Sequence, residues 1–586
     1  MELRLQRNTI KLLRQIADHR NLTEPIIPYK PQKSAFNPHL PICQPLPRST
    51  PEAQGISSEH ISAFLSDMQN DKSLDMHNLM ILRNGRIITE CSFGAYRTDI
   101  WHVTHSLCKS ITGLAIGLLI DEGRLSLNDR IVKIFEGRGN PLMPITKKGI
   151  LISHLLTMTS GIAFNETGSV TEEDWLESIL NFSLKHEPGK EFFYNSMNSY
   201  LLSAIVKQIT GKGLMEYLQT RVFEPLGITN IHWETCPKGI EKGGWGLYIR
   251  PEDAAKIGQL FLQGGRWNGR QIISENWVES ATTSRVSTPE DIGDFDYGYH
   301  VWVGRVQRSF LFNGMFGQNV IGFPDTGILI VSNAGNNELF QQSSYFTLLK
   351  KYFSSDYAPP ASLPENRAAH KRLLRQIEGL GYRSGLGLRL FSRVSSLPKQ
   401  CSLLSGRTFL IEGEDSIDVG LCPLILQALQ NNYSSGIRCI SFSTVDGAFL
   451  ISIQEEDCSH ILPVGFSKAE YSTVDMHAEP YIVGTYGSFS TDEDDNLVLK
   501  LRVSFVETSS TRIMKLIFSG DDIVVKCSET PGRRFFRMYI DSLGKELTSN
   551  KLAEALLSRV DKDYFDYKLE RTFEPVLSGR LEPKNS

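Results

Sequence analysis

The chain holds 586 residues, of which 41% are hydrophobic, 10% aromatic and 22% charged, with a formal net charge of -4. That length exceeds a single hydrophobic core and predicts about two to four domains. The near-neutral balance without a long basic run excludes a nucleic-acid footprint and a disordered acidic tail, and the longest apolar segment, around residues 111 to 120, is far shorter than a bilayer span. Neither nucleic acid nor membrane is an expected partner.

The opening "MELRLQRNTIKLLRQIADHR" is charged and amphipathic and lacks the apolar core and cleavage site of a secretory signal. The nine cysteines are an odd number, scattered, with no C-x-x-C pair, which fits reduced thiols and a cytoplasmic protein. Residues 1–48 read as an N-terminal helix followed by a Pro-rich arm laid over the surface. A domain over 49–356 follows. "ISSEHISAFLSDMQND" predicts a helix capped by Ser57 or Ser58, and "HNLMILRNGRIITECSFG" predicts two strands joined by Asn84-Gly85. From about 120 to 285 the pattern is mostly helix and loop. After 295, "FDYGYHVWVG", "SFLFNGM" and "GILIVSNAG" predict strands and "SSYFTLLKKYF" a closing helix. Strands at both ends of an interval with helices between them predict an α/β domain, an antiparallel sheet flanked by helices with a helical subdomain. Residues 357–399 read as a linker. Over 400–586 the periodicity becomes two, with a turn at Asp446-Gly447, which predicts a separate, mainly antiparallel β domain.

One stretch carries chemistry. "SLCKSITGLAIGLLIDEG" places Ser106 three residues before Lys109 at the start of an apolar run without proline. The same spacing occurs in "SLPK" (396–399) and "SLGK" (542–545), where Pro or Gly works against a helical turn. Residues three apart on a helix share a face, so the Lys109 amine can reach the Ser106 hydroxyl. A serine hydroxyl needs a neighbouring base to act as a nucleophile, and a lysine serves as that base when burial lowers its pKa. Cys108 reads as buried filler. The close histidines His102 and His105 lack a carboxylate at ligand spacing, and the chain has no H-E-x-x-H, no phosphate loop, no dinucleotide fingerprint and no G-x-S-x-G elbow. No metal and no cofactor are expected.

The ordered blocks "STPEAQGISSEHI", "SLCKSITGLAIGLLIDEGRLSLNDRI", "ISHLLTMTSGI", "PGKEFFYNSMNSYLLSAIVKQITG" and "GGWGLYIRPEDAAKIGQLFLQGGRWNGRQII" together resemble the serine β-lactamase and penicillin-binding-protein-like hydrolases, closest to the branch of class C enzymes, esterases and 6-aminohexanoate-dimer hydrolases. The resemblance spans roughly residues 49 to 352. It implies the β-lactamase/transpeptidase-like fold and an acyl-enzyme mechanism on Ser106. "YNS" supplies the Tyr-x-Ser form of the second motif, so Lys109 and a Tyr194 phenolate favoured by nearby ammonium groups would take the serine proton, with Ser196 beside them. The third motif, a Lys or His followed by a small residue and Gly, falls on Phe312, Asn313 and Gly314, so the cation is missing and Phe312 is expected to line the cleft instead. The amides of Ser106 and Met315 would form the oxyanion hole.

The implied function is a serine hydrolase acting on the amide or ester of a small-molecule acyl substrate. The alternatives are a β-lactamase or D-alanyl-peptidase, disfavoured by the missing cation, and a binding scaffold with an altered site. The β domain would shape the cleft entrance, stabilise the first domain or mediate association, which leaves room for a homo-oligomer.

Overall fold

The computed structural model describes residues 30–137, 149–381, 397–412, 419–456, 458–547 and 562–583, besides four single positions ahead of them. The expected N-terminal helix lies largely outside these residues, as does Ser396 of "SLPK".

A seven-stranded antiparallel sheet organises the first half of the chain. Its order is Arg86–Ser92, Met76–Arg83, Ile328–Ala334, Gln318–Phe323, Phe310–Gly314, Trp302–Gly304 and Phe295–Tyr297. The first two strands turn at Asn84 (φ 51°) and Gly85 (φ 72°), the left-handed pair that an Asn-Gly hairpin requires. Because side chains alternate along a strand, one sequence feeds two cores. Met80, Leu82, Phe310, Phe312, Val320, Leu329 and Val331 pack on one face with the helices Cys108–Asp121, Met197–Thr210 and Pro251–Leu262. Leu79, Ile81, Leu311, Ile321, Ile328 and Ile330 pack on the other, beneath Ser58–Asn70 and Ser344–Tyr352. Ser57 caps the first of these, accepting from the His60 amide.

Part of the span expected as a linker is folded. Asn366 caps a helix, Arg367–Glu378, whose Leu373 enters the second core and whose Gln376 bonds to Ser62 and Ser66 of the helix Ser58–Asn70. The Arg83 guanidinium donates to the carbonyls of Pro359 and Pro360 and holds the preceding stretch down. Ala369, Leu373 and Ile377 recur at helical spacing here, but the basic residues between them and the Pro-rich stretch before them make the sequence read as a solvated segment.

The second half is a ten-stranded antiparallel sheet running from Ser459–Pro463 at one edge to Glu470–Met476 at the other. The sheet curls until it nearly closes into a barrel, the Gly465 amide bonding to Thr485 and its carbonyl accepting from Gly487. Among the described residues, the helices Arg533–Leu547 and Lys562–Phe573 precede the last strand, Val576–Leu581. Ser542 and Lys545 of "SLGK" lie within the first of them, so the glycine there does not interrupt the helix.

The two halves are bolted together. The arm passes between them and buries Lys33, whose ammonium lies 3.0 Å from Glu507 and 4.9 Å from the Tyr481 ring. Glu507 also accepts from the Trp101 indole and, at 2.6 Å, from the Ile482 amide. Further along the arm, Lys256 donates to the Cys43 carbonyl and Arg48 pairs with Glu252.

Candidate active site

The end of the strand Phe310–Gly314, past its pairing with Trp302–Gly304, meets the turn before the helix Cys108–Asp121. His105–Leu107 form one 3-10 turn, with His105 at φ 46°, that runs directly into the helix. No side chain caps the turn or the helix, so the Ser106 hydroxyl is not consumed as a cap. From Trp101 to Leu119 every residue except Ser106 is buried.

Lys109 lies one turn on and is 1% exposed. Its ammonium donates to Ser106 Oγ at 2.8 Å and to the Gly244 carbonyl at 2.8 Å. It also sits 4.9 Å from the centre of the Tyr194 ring, and the Tyr194 hydroxyl is hydrogen-bonded to Ser106. The three side chains singled out by motif therefore converge on one hydroxyl. Tyr194 is held from both sides. Its neighbour Asn195 donates to the carbonyls of Ile162 and Phe164, each at 2.8 Å, and its ring stacks on Trp302 with Phe340 edge-on. Ser196 is buried at the N-cap of Met197–Thr210.

Glu166 is the residue that sequence reading missed. Its carboxylate accepts from the Ser196 amide at 3.1 Å, and its charge acts on both Lys109 and Tyr194. It sits in "AFNETGSV", a loop with no spacing relation to the motifs. The local signal is Asn165, which caps the short turn Glu166–Ser169 by accepting from Gly168.

Burial lowers the Lys109 pKa to about 8, against the opposing pull of Glu166 and Cys108. Burial raises Tyr194 above the ordinary phenol value, the bond to Ser106 opposing and Glu166 reinforcing it. The phenolate expected from the motif is thus disfavoured, because loss of solvent penalises the anion. Cys108 is likewise raised by burial, to about 12, and its thiol faces the Gly243 carbonyl at 3.7 Å as packing.

Gly314 touches the turn that carries Ser106. A Cβ there would lie 2.2 Å from the Thr104 carbonyl oxygen and 3.1 Å from the Leu107 amide nitrogen, so only glycine lets the strand come this close. Gly314→Ala is expected to push the two turns apart and to destabilise the first domain, which denaturant unfolding would read.

Two of the expected cleft residues face elsewhere. Phe312 is 1% exposed, and its ring packs 4.9 Å from Phe261 and 5.4 Å from Phe310 in the core beneath the helix Pro251–Leu262. Its aromatic partners, rather than the cleft, determine its place. Phe312→Lys is expected to cost several kcal/mol of stability by burying an unpaired cation, measurable by denaturant unfolding, and not to recruit carboxylate substrates. Asn313 is also buried, donating to Asn319 Oδ1 at 2.8 Å and accepting from Gln341 at 3.2 Å.

Met315 begins a short turn, Met315–Gly317, that the second half of the chain clamps. Phe316, left-handed at φ 67°, packs 4.4 Å from Phe535 and 5.0 Å from His105. Ser509, on the β domain, bonds to His105 Nε2 and to Gln318 Nε2, each at 3.1 Å.

Residues 68–340 match the family model described as Beta-lactamase. The protein Flp of Staphylococcus aureus is 31% identical over 176 residues, 27% of this chain and 34% of that protein. The chain therefore spans about a third of the length of that relative. The 6-aminohexanoate-dimer hydrolase of Paenarthrobacter ureafaciens is 26% identical over 292 residues, 43% of this chain and 70% of that enzyme. Among solved structures, an octameric penicillin-binding protein homologue from Pyrococcus abyssi matches with a TM-score of 0.39 and 16% identity, covering 80% of this chain and 97% of that one. No helix among the described residues is long and apolar enough to cross a membrane.

Proposed function

We propose that the protein, whose residues 68–340 match the Beta-lactamase family model and which resembles a 6-aminohexanoate-dimer hydrolase, cleaves a neutral ester or amide through an acyl-enzyme on Ser106. The observation that carries this reading is the contact between a partly exposed serine and a buried lysine with a lowered pKa, 2.8 Å apart.

In the proposed reaction neutral Lys109 takes the Ser106 proton as Oγ attacks the carbonyl carbon. The oxyanion forms beside the amides of Ser106 and Met315, where backbone donors stabilise developing charge. Collapse expels the alkoxide or amine, which takes its proton from Lys109 directly or through the neutral Tyr194 hydroxyl. Water then attacks the acyl carbon as Lys109 takes one of its protons, and on collapse the C–Oγ bond breaks while Lys109 returns that proton to Ser106 Oγ, releasing the acid. Tyr194 acts as a proton relay and orienting donor in this scheme, since its anion is disfavoured.

Glu166 bears on substrate choice. No second cation acts on Tyr194 among the described residues, whereas the Glu166 carboxylate does. A carboxylate-bearing substrate, such as a penicillin or a D-alanyl peptide, whose carboxylate lies on the amine side of the scissile amide, meets repulsion there, while the partly buried Phe340 ring beside Tyr194 suits a neutral, apolar group.

A fluorophosphonate probe followed by peptide mass mapping tests the proposal, with labelling confined to Ser106 as the expected result. A chain that binds small acyl compounds without labelling or turnover is instead a binding scaffold. Glu166→Gln, which keeps an acceptor for the Ser196 amide, removes the charge that raises the Lys109 pKa. The acidic limb of the pH–rate profile is expected to move to lower pH in that variant.

A further inference from the structure

Far from Ser106, three side chains of different chemistry converge at the end of the strand Ala448–Glu455 and the start of Ser459–Pro463. Cys458 Sγ lies 3.3 Å from His460 Nε2 and 3.7 Å from Glu455 Oε2, and His460 Nε2 lies 3.7 Å from Glu455 Oε1. Glu455 and His460 are 2% and 4% exposed, and Cys458 is half-buried. Bonds of about 2.3 Å to sulfur and about 2.0–2.2 Å to nitrogen and oxygen, set at tetrahedral angles, separate ligand atoms by about 3.3–3.7 Å. The observed separations fall in that range, the sulfur and the imidazole each facing a different oxygen of the carboxylate, and one ligand atom from each residue lies within 4.8 Å of the other two.

From this geometry we infer that Glu455, Cys458 and His460 bind one Zn2+ ion, with the fourth tetrahedral position left to water. A thiolate, an imidazole and a carboxylate form a borderline-soft set that suits zinc, and two anionic ligands balance its charge. The second shell is in place. Glu455 Oε1 accepts from the Leu421 amide at 2.7 Å, which fixes the carboxylate's orientation. Binding deprotonates the Cys458 thiol and releases that proton to solvent. With three protein ligands and one water position the site has the open form of zinc coordination. The ion ties the strand ends to the loop that leads into Leu424–Gln430, and Gln430 of that helix donates to Glu234 of the first domain at 2.7 Å. A search for H-E-x-x-H or C-x-x-C spacing passes over this cluster, because E-x-x-C-x-H has neither.

The test uses the full chain, stripped with a chelator and titrated separately with Zn2+ and Co2+. The expected result is about one ion per chain, release of about one proton, and a thiolate-to-cobalt charge-transfer band that is lost in Cys458→Ser and His460→Ala. In the unmutated chain, Zn2+ should protect Cys458 but not Cys439 from iodoacetamide, read by peptide mass spectrometry. This arm does not depend on a variant folding. Equal alkylation of Cys458 with and without Zn2+, or a charge-transfer band that survives Cys458→Ser, overturns the assignment.

Discussion

Lys109→Ala and Ser106→Ala are each expected to lower kcat/KM by roughly four to six orders of magnitude, since members of one catalytic unit fail together. Lys109→Arg separates a base from a mere cation. A guanidinium keeps the positive charge but does not give up its proton in the working range, so this variant is expected to be as inert as the alanine one. The pH dependence follows from the same residue. Lys109 accepts a proton only when neutral, and burial brings its pKa to about 8. Activity should therefore climb as pH rises through about 8 and level off above it, with roughly a tenth of the molecules competent at pH 7. Four ionisable groups near Lys109 do not blur this limb. Burial holds His105 and His300 near about 3, and Cys108 and Tyr194 are raised. A flat profile between pH 6 and pH 9, about two units below and one unit above that midpoint, would falsify the role given to Lys109.

Glu507→Ala is expected to destabilise the whole chain by about 3–5 kcal/mol, the usual result of stripping one partner from a buried ion pair. The change leaves the Lys33 ammonium, the Trp101 indole and the Ile482 amide without their shared acceptor. Denaturant unfolding monitored by tryptophan fluorescence measures the loss. Lys33→Met combined with Glu507→Leu should be less damaging than Glu507→Ala alone, because it removes both charges and keeps the volume. Equal losses would show that packing, and not the charge left behind, sets the cost.

What could be read from the sequence depended on how local the signal was. Ser106 and Lys109 were legible because one helical turn holds both and an apolar run announces burial. Tyr194 needed the resemblance, since nothing in "EFFYNS" marks one aromatic above its neighbours. Phe312 was assigned to the cleft by motif position, yet Phe310 and Phe312 share a strand face, and a same-face aromatic pair reads equally well as core. Glu166 acts through space on residues 57 and 28 positions away, as 166 − 109 and 194 − 166 give, and no periodicity encodes that. The hairpin and capped helix of the fold were legible from Asn84-Gly85 and Ser57, while the helix Arg367–Glu378 was hidden by its charge.

The arm has a consequence for the order of events during synthesis. The Lys33 amide bonds to Glu479 across 446 positions of chain, and its ammonium waits for Glu507, further on still. A ribosome therefore releases the segment bearing Ser106 long before the partners that lock its surroundings exist. Contacts of such sequence separation form late and slowly, because a long loop must close before they yield any stabilisation. The nascent first half must persist with an open seam at Trp101 and the Met315 turn, the interval in which a chaperone or a neighbouring chain can reach its apolar edge.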